Sequence, residues 1–310
     1  MKIAIVGQQD FGKAVLEAFL ARGDEVAGVF CAQEKEGAKP DPLKAAAAQR
    51  NIGVFQFASL RSAEAQDAMR SLAVDLGVMA YVLQFAPQDF VRIPRHGTIQ
   101  YHPSLLPLHR GPSSINWPII HGRTKTGLTI FRPTDGLDEG PVILQKEAAI
   151  SPDDTLGSVY FERLFPMGVA AMLEAADLVV AGRHSETAQD EAQASYEGWC
   201  RTAEARICWH HHVDQIYDLI RGCNPAPGAW TTLAGKTIQL FDSRKHPTRT
   251  FAAVKGKIGE VAAIGPDSVR ICAHGGQIEV FKLKPEGGKK MAATDFARDA
   301  GLTVGTLLGS

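Results

Sequence analysis

The first thirty residues constrain the fold more than any other stretch. "KIAIVG" is a compact apolar run ending on Gly7, "GKAVLEAFLARGDEV" has helical spacing with a stop at Gly23, and "EVAGVFC" is a second apolar run. Short apolar runs on either side of an amphipathic segment read as strand, helix, strand. Strands joined through a helix pair in parallel, and a parallel sheet is covered on both faces. The alternation goes on. "PDPLKAAAAQRNI" and "SAEAQDAMRSLAVD" read as helices, while "GVFQF", "LGVMAYV" and "GTIQYH" read as strands. The expected class is α/β, with a Rossmann-like, parallel-type sheet.

Further along, "SSINWPIIHG" reads as helical, and "TGLTIFRPT" and "GPVILQKEAAI" as a strand pair across the turn "DGLDEG". "LGSVYFERLFPMGVAAMLEAADLVVAG" is a long amphipathic helix with a kink expected at Pro166, which lacks the amide proton a helix interior needs. This closes a first domain over residues 1–183. A polar stretch beginning "HSETAQDEAQA" reads as a linker, 184–205. Residues 206–310 then hold one helix, "HHVDQIYDLIRGCNP", and short strands punctuated by turns, a spacing that predicts a small OB-like antiparallel β-barrel.

A net charge of -1 over 310 residues gives no global attraction to nucleic acid or to membranes. No apolar run approaches the ~20 residues of a membrane helix. The opening "MKIAIVGQQDFG" reads directly as a first strand, without the pattern of a signal peptide. Five scattered cysteines with no C-x-x-C read as reduced thiols. Together these predict a cytoplasmic protein with no membrane partner.

Several features invite a chemical role and carry little. Gly7 and Gly12 in "VGQQDFG" fall short of G-x-G-x-x-G; with Glu34 after the second strand they leave a dinucleotide site less favoured than a plain tight turn. The histidines of "WHHH" are adjacent, so they point about 100° apart on a helix and cannot share one ion. A solvated helix N-terminus is the expectation, and no metal. Lys255, Lys257, Lys282, Lys284, Lys289 and Lys290 fall on the barrel. A solvated charged face is expected, with an RNA-landing surface left open.

The stretch "TIQYHPSLLPLHRG" is different, because a strand ends by placing polar groups in a proline-stiffened loop. Gln100 and His102 lie two apart and point the same way if the strand stays extended. Asp138, in the glycine-flanked turn "DGLDEG", can bring its carboxylate back to that strand end. A carboxylate beside an imidazole fixes its tautomer and favours its protonated form, and a nearby amide can donate to a developing oxyanion. Amide, imidazole and carboxylate make a set suited to acyl transfer without a covalent enzyme intermediate. Isolated His and Asp residues are common, and pattern alone does not settle it.

"YHPSLLPLHRG", "INWPIIHGRTKTGLTIF" and "DGLDEGPVILQKE" resemble the signature of the folate-dependent formyltransferases. Within that family, "VFCAQEKEGAKPDPL", "YEGWCRTAEARICW" and "IYDLIRGCNPAPGAW" look most like the hydrolase domain of the 10-formyltetrahydrofolate dehydrogenases, and the chain is also similar to the methionyl-tRNA formyltransferases. The resemblance implies 10-formyltetrahydrofolate as formyl-donor cosubstrate, without metal. It implies His102 as the catalytic histidine and Asp138 as the essential aspartate, with the loop "LQFAP" offering Gln84, Phe85 and Ala86 to the folate ring. Ser104 is expected to cap the loop after His102 beside that site, and Leu105 and Leu106 either to wall it or to pack. The family's transferases carry asparagine two residues before the histidine; here it is Gln100, longer by one methylene, about 1.5 Å. A shift of ~1 Å can cost of the order of 100-fold in rate, so either the pocket has adjusted or transfer to an amine is weakened and the protein behaves more as a hydrolase; the expected acceptor is water or a small amine. The short loop "CAQEKEGAKPDPL", of mixed charge, makes tRNA the less favoured partner. A non-catalytic RNA-binding protein and a nicotinamide oxidoreductase are the competing classes.

Overall fold

The computed structural model describes residues 1–35, 37–248 and 256–309. Its chain divides into two compact units that are not consecutive in sequence. The first takes in 1–111, 127–148 and 163–196, the second 112–126, 149–162 and 197 onward.

The first unit is built on a seven-stranded sheet. Its strands are β1 (Lys2–Gly7), β2 (Glu25–Phe30), β3 (Gly53–Phe55), β4 (Leu76–Ala80), β5 (Thr98–His102), β6 (Lys125–Phe131) and β7 (Val142–Ala149), in the order β3-β2-β1-β4-β5-β6-β7. The pairs from β3 to β5 are parallel, and β6 runs antiparallel to β5. Its helices are α1 (Gln9–Ala21), α2 (Pro42–Gln49), α3 (Ala63–Leu72), α4 (Gln88–Val91) and, after α5 (Asn116–Ile120) and α6 (Leu156–Ser158) of the second unit, α7 (Phe165–Val180). On one face, α1, α2 and α7 bury Phe11, Leu16, Phe19, Leu43 and Met172 against Ile5, Val78, Ile99 and Tyr101; on the other, α3 and α4 bury Met69 and Phe90 against Val6, Phe30 and Met79. Both faces of the strands are therefore apolar, which is why they read as unbroken runs rather than alternating ones.

Gly7 ends β1 where no larger residue fits: a Cβ there would lie 1.9 Å from the Ala80 carbonyl oxygen. The helix N-terminus that follows is already served. Asp41 caps α2 through Leu43 and also accepts the amide of Gln9 at 2.9 Å, at the first residue of α1. A carboxylate of the chain thus takes the place a pyrophosphate holds in dinucleotide enzymes.

The expected long helix is interrupted. A π-helical turn, Val159–Leu164, separates α6 from α7 just before Pro166. Proline removes one i→i−4 donor, and the widened turn absorbs the defect.

The second unit carries α8 (Val213–Gly222), β8 (Ala229–Leu233), β9 (Lys236–Leu240), β10 (Ser243–Pro247), β11 (Val261–Ile264), β12 (Val269–Ala273), β13 (Gly276–Val280), β14 (Lys282–Pro285), β15 (Met291–Ala292) and α9 (Ala293–Asp299). Among the described residues the strands form two four-stranded antiparallel sheets, β10-β13-β12-β11 and β15-β14-β9-β8, with no ladder closing them into the expected OB-like barrel. The chain changes sheet at two bends, between Leu240 and Ser243 and at Phe281, where the Asp242 carbonyl accepts the Phe281 amide at 2.8 Å. His212 is the N-cap of α8, its ring accepting the Asp214 amide at 3.3 Å. Of the barrel lysines, Lys282 pairs with Asp242 at 3.1 Å, Lys290 lies over the Phe241 ring at 3.7 Å, and Lys255 lies outside the described residues. No described helix is long and apolar enough to cross a membrane.

Candidate active site

Strand β5 lies inside the sheet, between β4 and β6, and its alternation sorts its residues. Ile99 and Tyr101 enter the core beneath α1 and α7, so Thr98, Gln100 and His102 share the opposite face. The next strand, β6, pairs Phe131 with Gln100 and Thr129 with His102. The loop after β6 therefore starts beside Gln100. Its hold on Gln88 is double, since the Pro133 carbonyl accepts Gln88 Nε2 at 2.9 Å and Asp135 accepts the Gln88 amide at 3.3 Å. At Gly140 a Cβ would lie 1.7 Å from the Arg132 carbonyl oxygen, so only glycine lets the loop fold back this tightly.

The loop delivers Asp138 to His102. Asp138 Oδ2 lies 3.5 Å from His102 Nδ1 and accepts the Gly111 amide at 3.0 Å. His102 Nε2 faces the His109 carbonyl at 2.9 Å; a carbonyl only accepts, so that nitrogen carries a proton. Nδ1 is then the nitrogen turned to the carboxylate. At 3.5 Å the contact is an ion-pair distance rather than a well-made hydrogen bond, and such contacts tighten when a substrate binds. His102 is 6% exposed and Asp138 7%, so their interaction is poorly screened by solvent. Asp138 holds φ +56, a left-handed conformation that costs a non-glycine residue on the order of 1 kcal/mol or more. Backbone strain of this kind persists only where the surroundings hold it.

Gln100 is half-buried on the same strand face, and its side chain makes no hydrogen bond among the described residues. The other expected site residues fall into two groups. Gln84 turns its amide inward, donating to the Phe57 carbonyl at 2.8 Å, which ties the loop after β4 to the loop after β3. Ala86 is buried with Phe90 and Met79. Ser104 is fully buried and donates to the Leu108 carbonyl at 2.6 Å, closing the loop after His102 as a cap. Phe85 alone of these is exposed, with the Arg61 guanidinium 4.7 Å from its ring centroid. It belongs to a set of exposed large apolar side chains on the loops after β4, β5 and β6, with Tyr81, Leu83, Leu108 and Leu137. Leu106 is buried, so it packs, while Leu105 is half-buried.

Four residues escape the sequence-based expectation. Arg110, 1% exposed, makes a paired contact with Glu191 at 2.6 Å and 2.9 Å. Its hydrogen bond to Glu191 raises the Arg110 pKa above its ordinary value and, in return, lowers that of the Glu191 carboxyl. Gln189 bridges Arg110 to the carbonyls of Asp138 and Gly140, and Tyr196 donates its hydroxyl to the Leu137 carbonyl at 2.7 Å. The segment expected to be a polar linker thus braces the loop that carries Asp138. Two concave surfaces, about 480 and 390 Å³, lie in the second unit, around Ile238 and Phe296 and around Cys208 and Trp209. Neither includes His102 or Asp138.

Residues 1–175 match the formyl transferase family, and residues 200–301 match the formyl transferase C-terminal domain. The chain is 39% identical over 307 residues to the mitochondrial 10-formyltetrahydrofolate dehydrogenase of Homo sapiens, covering 96% of this chain and 33% of that enzyme. It is 33% identical over 314 residues to the methionyl-tRNA formyltransferase of Geobacter metallireducens, covering 100% of this chain and 99% of that one. The chain spans about a quarter to a third of the length of the dehydrogenases it matches. In fold it is similar to HypX from Aquifex aeolicus, solved in complex with tetrahydrofolic acid, with a TM-score of 0.65 at 18% identity over 96% of this chain and 48% of that one. Matched over both its amino-terminal and carboxyl-terminal parts, the chain belongs to the formyl transferase family.

Proposed function

We propose that this protein takes the formyl group of 10-formyltetrahydrofolate and passes it to water or to a small amine, releasing tetrahydrofolate. The observation that carries this reading is the buried His102–Asp138 pair at the end of β5, with Gln100 on the same strand face. The exposed apolar side chains of the loops after β4, β5 and β6 suit a flat, largely apolar ring system such as a pterin. Backbone groups at 84–86 are the assigned contacts to that ring, because the Gln84 side chain is already engaged.

The steps assigned to the chain are few. Gln100 donates to the oxygen of the formyl group as water or an amine adds to its carbon, joined by the protonated His102 as that oxygen displaces the His109 carbonyl from Nε2. Preorganised donors of this kind stabilise the tetrahedral oxyanion. Asp138 holds the ring through Nδ1 and accepts the proton that the attacking group loses. A proton is returned to N10 as the carbon–nitrogen bond breaks, leaving formate when water attacks and a formamide when an amine does. Proton transfer by positioned groups contributes about 10²–10⁴-fold.

A second reading has one observation in its favour: the Geobacter methionyl-tRNA formyltransferase is matched over 99% of its length. Incubation with 10-formyltetrahydrofolate, a panel of amines and methionyl-tRNA separates the two. Formate or a small formamide is the expected product, and formylmethionyl-tRNA as the only product would replace this reading with the second.

Gln100 supplies a sharper test. Gln100→Asn withdraws the amide by about 1.5 Å, and if the pocket is built around glutamine, the water-only rate falls by roughly 10–100-fold. An unchanged rate would remove Gln100 from the oxyanion site.

A further inference from the structure

We propose that Gln189 is a positioning residue that holds Asp138 in its left-handed conformation, and through it the His102–Asp138 pair, with Arg110 as its anchor. The inference rests on the catalytic role proposed above for that pair. Gln189 contributes the whole of its amide. Its Nε2 donates to the Asp138 carbonyl at 2.8 Å and to the Gly140 carbonyl at 2.7 Å, on either side of the loop's tight return. Its Oε1 accepts from Arg110 Nε at 3.1 Å and Nη2 at 2.8 Å. An amide holds two protons on its nitrogen, and here both go to carbonyls of the catalytic loop.

Arg110 fixes that amide from behind. Its guanidinium is clamped on the far side by both carboxylate oxygens of Glu191, so its planar fork cannot rotate away. The same stretch of chain also meets the carboxylate of Asp138, because the amide of the next residue, Gly111, donates to Oδ2 at 3.0 Å. Asp138 is therefore gripped at both ends, at its main-chain carbonyl by Gln189 and at its carboxylate by Gly111. The Leu137 carbonyl is taken by the Tyr196 hydroxyl, and Arg110 pairs with Tyr196 as a short parallel bridge. Three carbonyls of one loop are thus held by side chains of the single segment 189–196.

That grip matters because Asp138 stands at φ +56. Relaxation of the loop toward an ordinary conformation would swing the carboxylate away from a contact that is already 3.5 Å long. The bonds to its carbonyl oppose that relaxation, and Gln189 makes the one at Asp138 itself. Gln189 touches neither His102 nor the strand face of Gln100, so its effect on turnover passes through Asp138.

The test uses Gln189→Met, which keeps the length of the side chain and removes both donors, in the full-length protein. The expected result is a fall in kcat for 10-formyltetrahydrofolate of about 10–100-fold with KM unchanged. In an Asp138→Ala background the same change is expected to cost nothing further, since residues that act as a unit are not additive. The ¹⁵N resonance of His102 Nδ1, which requires no substrate, is expected to move toward its position in Asp138→Ala. An unmoved resonance, or losses that add in the double variant, would overturn the positioning role. A resonance that shifts in the variant, when the wild-type protein itself leaves 10-formyltetrahydrofolate untouched, would sustain the positioning and sink the proposed activity instead. Gln189→Glu, which presents a carboxylate to the same two carbonyls while retaining an acceptor for Arg110, is expected to move the resonance in the same direction. It stands in should the methionine variant fold poorly, and an unmoved resonance there overturns the proposal equally.

Discussion

Replacing His102 with alanine is expected to lower turnover of 10-formyltetrahydrofolate by about 10²–10⁴-fold, the contribution typical of a positioned acid–base group. The fold should survive. The imidazole is buried, but the hydrogen bond it makes is to the His109 carbonyl, and losing that bond costs about 1–3 kcal/mol. Asp138→Asn is expected to fall in the same range for a different reason. The carboxylate faces Nδ1 and also accepts the Gly111 amide, so asparagine can keep the loop contact through its oxygen while losing the negative charge that a protonated ring needs. The two variants should therefore differ in stability and agree in activity. Steady-state kinetics beside thermal unfolding checks both halves. Variants that retain near wild-type rates would show that the chemistry lies elsewhere.

Phe11→Ala is expected to have the largest effect on stability, about 3–5 kcal/mol, as for other buried aromatic truncations. Phe11 is 1% exposed and joins three parts of the first unit. Its ring stacks on Tyr101 with centroids 4.3 Å apart and meets Phe165 edge-on at 5.4 Å, so α1, β5 and α7 converge on it. Tyr101 is the neighbour of His102 on β5, which makes this contact the underside of the candidate site. The energy follows from lost transfer free energy together with a cavity that backbone elements on three sides cannot close. Urea unfolding measures it, as a fall in midpoint with little change in slope. A loss below about 1 kcal/mol would mean that the aromatic cluster is not the keystone its geometry indicates.

Much of the first unit was legible because its signals are local. Apolar runs of strand length between amphipathic segments give the parallel sheet, and "GTIQYH" ends as a strand at His102 as its pattern predicts. The pairing of His102 with Asp138 was suggested by unusual local sequence, a proline-rich loop and a glycine-flanked turn 36 positions apart, but it took the resemblance to the formyltransferases to single the two out. The brace behind them was not readable. Gln189 and Glu191 lie in a polar run with no periodicity, and nothing local distinguishes an amide that will meet two carbonyls from one that will meet water. Arg110 offered a weak signal, as an arginine inside the site loop. Asp41 was hidden for a similar reason: "PDP" announces a turn and a helix cap, but its second bond, to Gln9, exists only once α1 and α2 are side by side. The second unit was legible only as a set of short strands. Strand spacing counts the strands but does not say where a bent chain changes partner, and among the described residues the bends at Asp242 and Phe281 pass the chain between two four-stranded sheets.

The most direct measurement is the release of tetrahydrofolate and formate from 10-formyltetrahydrofolate by the purified protein with no acceptor but water, run beside Asp138→Asn. Catalysed release that is lost in the variant is the predicted result, and it would place the chemistry at the His102–Asp138 pair with water as a sufficient acceptor. Release that proceeds equally in both proteins, or no release with water or with any amine, would contradict the assignment of this site.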